Sequence, residues 1–83
     1  MATRDPAAAY LEAFGRAVRR QRERLGLSQE KLSFQAELDR TYVSGVERGV
    51  RNPTVRSVRR IAVALGVRPS ALFLAAERTR DGA

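Results

Sequence analysis

The sequence contains neither cysteine nor histidine among its 83 residues. Without cysteine there is no disulfide framework and no thiolate metal site, and nothing argues for an oxidising compartment. Without histidine the chain lacks the commonest zinc ligand, the usual general base, and the Ser–His and Cys–His pairs of nucleophilic catalysis. We therefore expect no catalytic residue, no metal site and no cofactor, and a non-enzymatic role in the cytoplasm.

Long apolar runs are absent as well. The longest runs fall far short of the roughly 20 residues that a membrane span needs, and the N-terminus lacks a charged-then-apolar signal pattern. A chain of this length supplies one small core, with no separate ligand-binding module. We expect a single domain with no membrane association and no small-molecule ligand.

Positive charge, by contrast, is abundant. Sixteen lysines and arginines against nine acidic residues give a formal net charge of +7 and a pI of about 11.4. A surface of this kind attracts polyanions, among which nucleic acid is the commonest and an anionic membrane face the second. Alternatively, the positive charge serves only to keep the protein soluble and has no role in binding.

The spacing of apolar residues predicts an all-α fold of five helices without strands. The predicted helices begin at capping residues or proline, and most end at a glycine, which accepts the backbone geometry of a helix end. One domain is expected over residues 7–78, between a flexible N-terminus (residues 1–6) and a loose polar tail (residues 79–83). The predicted helices are residues 7–25, 29–36, 40–48, 55–65 and 69–78.

The second and third predicted helices are short and separated by only three residues. This spacing, over residues 28–48, is typical of a helix-turn-helix, in which the second helix enters the DNA major groove. A nine-residue helix spans roughly 13 Å, comparable with a groove about 12 Å wide. The third helix opens with Arg40, Thr41 and Tyr42. Hydrogen-bonding side chains are expected at this end because it meets the bases first.

Two stretches carry a resemblance to a known family. LGLSQEKLSFQAELDRTYVSGVERG (residues 25–49) resembles the helix-turn-helix of the Cro/C1-type (XRE) repressors, and the similarity continues through RNPTVRSVRRIAVALGVRPSALF to residue 73. The resemblance implies a compact five-helix, lambda repressor-like DNA-binding domain that acts as a dimer. Within the family, DRTYVSGVERGVRNPT most resembles the small controller proteins of restriction–modification systems. Glu37 departs from the pattern, since the family usually places glycine there, and a positive φ at this position would strain it.

The resemblance also assigns residues that contact DNA. Gln29 matches a position at the start of the second helix, where its amide and the helix dipole can bind a phosphate oxygen. Arg40 matches the foremost recognition position, and its planar fork can hydrogen-bond guanine O6 and N7 together. Thr41 and Ser44 can reach base edges or phosphates. Tyr42 either donates to a phosphate or simply packs with its hydroxyl exposed.

Further contacts are expected at the end of the third helix and after it. Gly45 is expected on the groove-facing side, where the missing side chain would permit close approach. Arg48, Arg51 and Asn52 match positions that contact the sugar-phosphate backbone in similar proteins, with a solvated loop as the alternative. The remaining arginines are expected to form a basic solvated face, some of it near flanking phosphates, comprising Arg16, Arg19, Arg20, Arg24, Arg56, Arg59 and Arg60.

Two charged residues are predicted to serve the scaffold. Arg22 lies in the first helix and Glu47 in the third, and the resemblance implies a structural ion pair that ties the two helices together. Truncation of either partner should be costly if the pair is buried.

A homodimer is the expected assembly. One short helix contacts only a few base pairs, so selective binding requires two copies on a pseudo-palindromic operator. The interface is predicted from apolar residues of the fifth helix, some of which must instead complete the core. The candidates are Leu72, Phe73, Leu74 and Ala76.

The sequence thus predicts a bacterial or phage-encoded, nucleoid-associated transcriptional regulator whose partner is double-stranded operator DNA. The regulator would repress by blocking RNA polymerase or activate by contacting it, and the sequence does not decide between repression and activation. Concentration is the obvious input, because dimerisation makes operator occupancy steep in protein level. An antitoxin- or phage-type XRE repressor, or a non-specific nucleic-acid-binding protein, remains as an alternative.

Overall fold

The computed structural model describes residues 5–80, with side chains through Arg78. This part of the chain contains five α-helices and no strand, so the predicted all-α fold is confirmed. Their bounds are α1 (Pro6–Arg24), α2 (Gln29–Ala36), α3 (Arg40–Arg48), α4 (Val55–Ala64) and α5 (Pro69–Arg80).

Helix α1 begins earlier than the sequence pattern predicted. Asp5 caps it by accepting a hydrogen bond from the N–H of Ala7 at 3.1 Å, and Pro6 is its first residue. A capping carboxylate followed by proline is a strong start signal, because proline needs no N–H donor in the first turn. Asp5 is therefore the N-cap and Pro6 the first residue of the helix, and only residues 1–4 of the expected flexible terminus lie outside the described residues.

Helix α5 also runs further than expected. It continues to Arg80, so residues 79 and 80, expected in a loose tail, are helical. Neither glycine nor proline follows Arg78 directly, so nothing local ends the helix there. Residues 81–83 of the predicted tail lie outside the described residues.

The core forms where α1 packs on α3 and α5, and α2 packs on α3 and α4. Each fully buried aliphatic side chain contributes roughly 1.5–3 kcal/mol to stability. None of the described helices combines the length and apolar character needed to cross a bilayer. The largest side chains with less than 2% exposure are Leu32, Ile61, Leu65, Val18, Val43 and Val46.

Gly15 sets how closely α1 approaches α3. A Cβ atom at this position would collide with the backbone carbonyl oxygens of Val46 and Glu47. Because those atoms belong to a helical backbone, they cannot move aside as a flexible side chain can. The glycine thus lets α1 lie directly against the C-terminal half of α3, and the sequence pattern gave no sign of this role.

Candidate nucleic-acid interface

Helices α2 and α3 are each opened by a side-chain cap. The hydroxyl of Ser28 accepts from the N–H of Lys31 at 3.0 Å, and the carboxylate of Asp39 accepts from the N–H of Thr41 at 3.2 Å. Helices of eight and nine residues are too short to be stable alone in water. Tertiary packing of their buried faces therefore holds them in place.

The turn between the two helices passes through a left-handed residue. Glu37 has φ 58° and ψ 43°, and it is the one non-glycine residue with positive φ in the described part of the chain. The turn is closed by the N–H of Leu38, which donates to the carbonyl of Ser33 at 2.9 Å. Glu37 therefore has the positive φ that the sequence analysis raised as a source of strain. For a residue with a side chain, this conformation costs about 1–2 kcal/mol of conformational energy.

One side of α3 faces solvent. At 3.6 residues per turn, Arg40, Thr41, Ser44 and Arg48 fall within an arc of about 100°. Ser44 is half-buried and the other three are exposed, and Nε of Arg48 lies 3.4 Å from the Ser44 hydroxyl. We call these four residues the recognition face. The structure brings them together on one surface, which is the geometry that contact with a groove requires.

The adjoining flank of α3 carries Tyr42 and Gly45. Tyr42 is half-buried against the core, and the guanidinium carbon of Arg51 lies 5.6 Å from the centre of its ring. Gly45 is buried, and a Cβ built on it would lie 2.5 Å from Cγ of Arg51. The expectation that Gly45 faces the groove was wrong, because the arginine side chain covers it. Asn52 follows in the loop and is exposed.

Gln29 has a hydrogen-bond partner within the protein. Its amide Nε2 donates to Oε1 of Glu47 at 2.9 Å, and the side chain is partly buried. The amide has two N–H donors and this bond uses one of them, so the phosphate contact predicted for Gln29 stays a prediction. This contact follows from the packing of α2 against α3, which residue spacing along the chain does not show.

Arg22 and Glu47 form a buried ion pair between α1 and α3. Nε of Arg22 lies 2.7 Å from Oε2 of Glu47 and Nη2 lies 3.0 Å from Oε1, a bidentate arrangement. Nη1 donates to the carbonyl of Leu27 at 2.8 Å. The hydrogen bond to Glu47 raises the pKa of Arg22 above its ordinary value, although burial opposes the shift.

The ion pair has an electrostatic consequence for the recognition face. Glu47 receives hydrogen bonds from both Arg22 and Gln29, and its side chain is only 2% exposed. Its negative charge is neutralised inside the protein and does not repel an approaching phosphate. The exposed cations Arg40, Arg48 and Arg51 are thus left to set the potential on this side of α3.

The predicted dimer residues of α5 divide into two sets. Leu72 is 3% exposed and Ala76 is completely buried, so both complete the core of the protomer and cannot form an interface. Phe73 and Leu74 are 38% and 51% exposed, and the ring of Phe73 lies 5.0 Å from that of Phe14. Helical geometry explains the division, since Leu72 and Ala76 are four residues apart and share one face.

A shallow groove accompanies the exposed pair. It has a volume of about 720 Å³ and lies on the outside of α5. We call this region the outer face of α5, and it is lined by Val67, Arg68, Ser70, Ala71, Phe73, Leu74 and Glu77.

The fold and the solvent-facing side of α3 define a helix-turn-helix domain of lambda repressor-like architecture. A helix-turn-helix family model matches residues 18–72. The chain belongs to this Cro/C1-type (XRE) helix-turn-helix family of DNA-binding transcriptional regulators.

Similar proteins include several restriction–modification controllers. The control protein C.BamHI of Bacillus amyloliquefaciens is 47% identical over 61 residues, which are 72% of this chain and 75% of that protein. The crystal structure of the controller C.AhdI from Aeromonas hydrophila superposes with a TM-score of 0.74 at 47% identity, covering 75% of this chain and 94% of that one.

A third comparison includes DNA. The controller C.Esp1396I was crystallised as a tetramer in complex with its natural 35 base-pair operator, and this chain matches it with a TM-score of 0.75 at 33% identity. The match covers 83% of this chain and 91% of that one. The predicted resemblance to controller proteins is confirmed, and these relatives are transcriptional controllers and not enzymes.

Proposed function

We propose that this chain controls transcription in a restriction–modification system by binding a pseudo-palindromic operator as a homodimer through α3. The observation that carries the proposal is the recognition face, in which three exposed side chains and Ser44 project from a helix whose opposite side is anchored in the core. The similarity to C.Esp1396I, which was crystallised as a tetramer on its operator, supports operator binding by this fold.

Each residue of the recognition face has a chemistry suited to DNA. Arg40 stands at the N-terminus of α3, where a guanidinium can hydrogen-bond guanine O6 and N7 and contribute about 1–3 kcal/mol of discrimination. The hydroxyls of Thr41 and Ser44 can donate to base edges or phosphates. Arg48 and the neighbouring Arg51 supply positive charge for the phosphate backbone.

The homodimer uses the outer face of α5 in this proposal. Phe73 and Leu74 are large apolar side chains that remain exposed after the protomer has folded. A single α3 contacts only a few base pairs, so a second copy is needed for useful selectivity. The symmetric pairing of one α5 with another would place two recognition faces on successive half-sites.

Operator occupancy then sets the regulatory output. A bound dimer represses when it covers the site of RNA polymerase and activates when it contacts polymerase beside the promoter. Because dimerisation makes occupancy depend steeply on protein concentration, the level of the regulator is itself the signal.

Selection of bound sequences from random DNA, followed by competition binding, tests the proposal. We expect a twofold-symmetric consensus. Arg40→Ala should lower the preference for that consensus over random DNA by about 5- to 150-fold. Arg59→Ala, which removes an exposed arginine of α4, is the matched control and should lower affinity for both DNAs equally.

Two results would contradict the assignment. Equal loss of preference in the two variants would show that α3 does not make the specific contacts. Selection that yields no consensus would favour the rival function, non-specific binding through the net positive charge.

A further inference from the structure

The side chain of Arg51 is held against α3 although the residue lies beyond the helix. The N–H groups of Val50 and Arg51 both donate to the carbonyl of Gly45, at 3.0 and 3.3 Å. From this tethered backbone the arginine stem crosses over Gly45, and its guanidinium lies over the ring of Tyr42. Tyr42 and Gly45 are three residues apart and therefore share this flank of the helix.

Gly45 is present for steric reasons and not for backbone freedom. It does not have positive φ, unlike Gly26, Gly49 and Gly66. A Cβ at position 45 would lie 2.5 Å from Cγ of Arg51, closer than real carbon atoms approach. Since Cγ is near the backbone and the backbone is tethered, a small shift cannot relieve this overlap. The arginine would have to adopt another rotamer, and its guanidinium would then lose its contact with the Tyr42 ring.

The Arg51 guanidinium keeps its donors available in this position. Among the described residues no carboxylate is paired with it, whereas Arg22 and Arg19 are bound to glutamates. An aromatic ring attracts a cation without consuming N–H donors. In this position the group rests on the ring and still has its N–H groups available to hydrogen-bond DNA beside the recognition face.

We propose that Gly45 and the ring of Tyr42 form a seat that fixes the Arg51 guanidinium for contact with bound DNA, which makes Gly45 a positioning residue for recognition. This inference rests on the proposed function. Its physical basis is pre-organisation, because an arginine that is already ordered loses less conformational freedom on binding. The loss of the seat should weaken DNA binding by about 3- to 10-fold, the range expected for ordering one long side chain.

A double-mutant cycle tests the seat on the full chain. Dissociation constants for the selected consensus DNA would be measured for wild type, Gly45→Ala, Arg51→Ala and the double variant. Gly45→Ala should weaken binding about 3- to 10-fold in the wild-type background and less than about twofold when Arg51 is already alanine. An equal effect in both backgrounds would overturn the proposal.

The same experiment includes a control for folding. Alanine is a better helix former than glycine, so the melting temperature of Gly45→Ala should not fall. If that variant fails to fold, Tyr42→Leu removes the ring instead, and its effect on affinity should shrink in the Arg51→Ala background. An unchanged effect there would also refute the seat.

The outcomes separate this inference from the proposed function. If Arg40→Ala lowers specificity but Arg51→Ala leaves affinity unchanged, the seat is wrong and the recognition face stands. If neither variant affects DNA binding, the proposed function itself fails.

Discussion

Arg22 forms an ion pair whose two side chains are both largely buried. The side chains of Arg22 and Glu47 are 11% and 2% exposed, so either charge would be buried without compensation if the other were removed. Such an uncompensated charge costs far more than the net contribution of the intact pair. The pair also holds the C-terminal half of α3 to α1, and therefore sets where the recognition face lies.

Arg22→Met should lower the free energy of unfolding by about 3–5 kcal/mol, measured by urea denaturation. Arg19→Met is the matched control, because Arg19 pairs with Glu23 in the same helix but both side chains are more than half exposed. The control should change stability by at most about 1 kcal/mol. Similar losses in the two variants would show that burial of the pair does not matter.

The pH dependence of the Arg22 contribution follows from the direction of its pKa shift. The pKa is raised in the folded protein by the hydrogen bond to Glu47. A raised pKa means that the stabilisation is fully present below the pKa of the unfolded chain and is lost only as pH rises through the folded value. Protonation of Arg22 is therefore constant across the neutral range, and this residue is not a pH sensor.

The turn between α2 and α3 is the element where the sequence departs from a favourable local conformation. Glu37 is left-handed, and its carbonyl lies 3.4 Å from Nη1 of Arg60 on α4. That contact uses the backbone and survives replacement of the side chain. The strain thus belongs to the Cβ atom alone.

Glu37→Gly should raise the free energy of unfolding by about 0.5–1 kcal/mol, because relief of left-handed strain exceeds the greater backbone entropy of glycine in the unfolded chain. Gln35→Gly, an exposed position inside α2, should lower it by about 0.5–1 kcal/mol. Thermal unfolding of both variants tests whether the two changes in stability have opposite signs. A lower stability of Glu37→Gly than of the wild type would mean that the glutamate side chain stabilises the turn.

At the scale of the whole molecule, α5 presents one face to the core and another to solvent. Leu72 and Ala76 point into the core, whereas Phe73 and Leu74 lie on the outer face of α5. In the proposed dimer, the stability of the protomer and the assembly of two copies would therefore depend on different residues of one helix.

Leu74→Glu should convert the proposed dimer to monomer in sedimentation experiments, because it places a charge in the middle of an apolar contact. Since Leu74 is 51% exposed, the free energy of unfolding of the monomer should change by only about 0.5 kcal/mol. Leu72→Ala is the converse control and should destabilise the protomer by about 2–5 kcal/mol through a cavity. A dimer that persists in Leu74→Glu would place the interface elsewhere.

Several features of the fold could be predicted because they depend on residues close in sequence. Asp39 and Gly49 bound α3 through cap interactions that span a few residues, and the structure places both ends as predicted. The start of α1 was missed by one residue, since Asp5 and Pro6 were assigned to a flexible terminus despite forming a cap and a first helical turn. The exposed position of Arg40 also followed from local periodicity.

Other features of the candidate site depended on residues that are distant in sequence. Gln29 was assigned to phosphate, and its hydrogen bond to Glu47, 18 residues away, was not predicted. Gly45 was expected to face DNA and is instead covered by Arg51. Neither partner is identified by helical spacing, because each lies on a different element or beyond the end of the helix.

The sequence by itself determined the number of helices and the helix-turn-helix, because apolar spacing and caps act locally. It also determined the family, through the resemblance carried by residues 25–73. Only the tertiary structure decided that Leu72 is core and Leu74 surface, since three consecutive large apolar residues in α5 do not show which side of the helix faces inward. It also decided the partners of Gln29 and Arg51. Those choices are made by packing between helices, where side chains compete for a position that no single segment specifies.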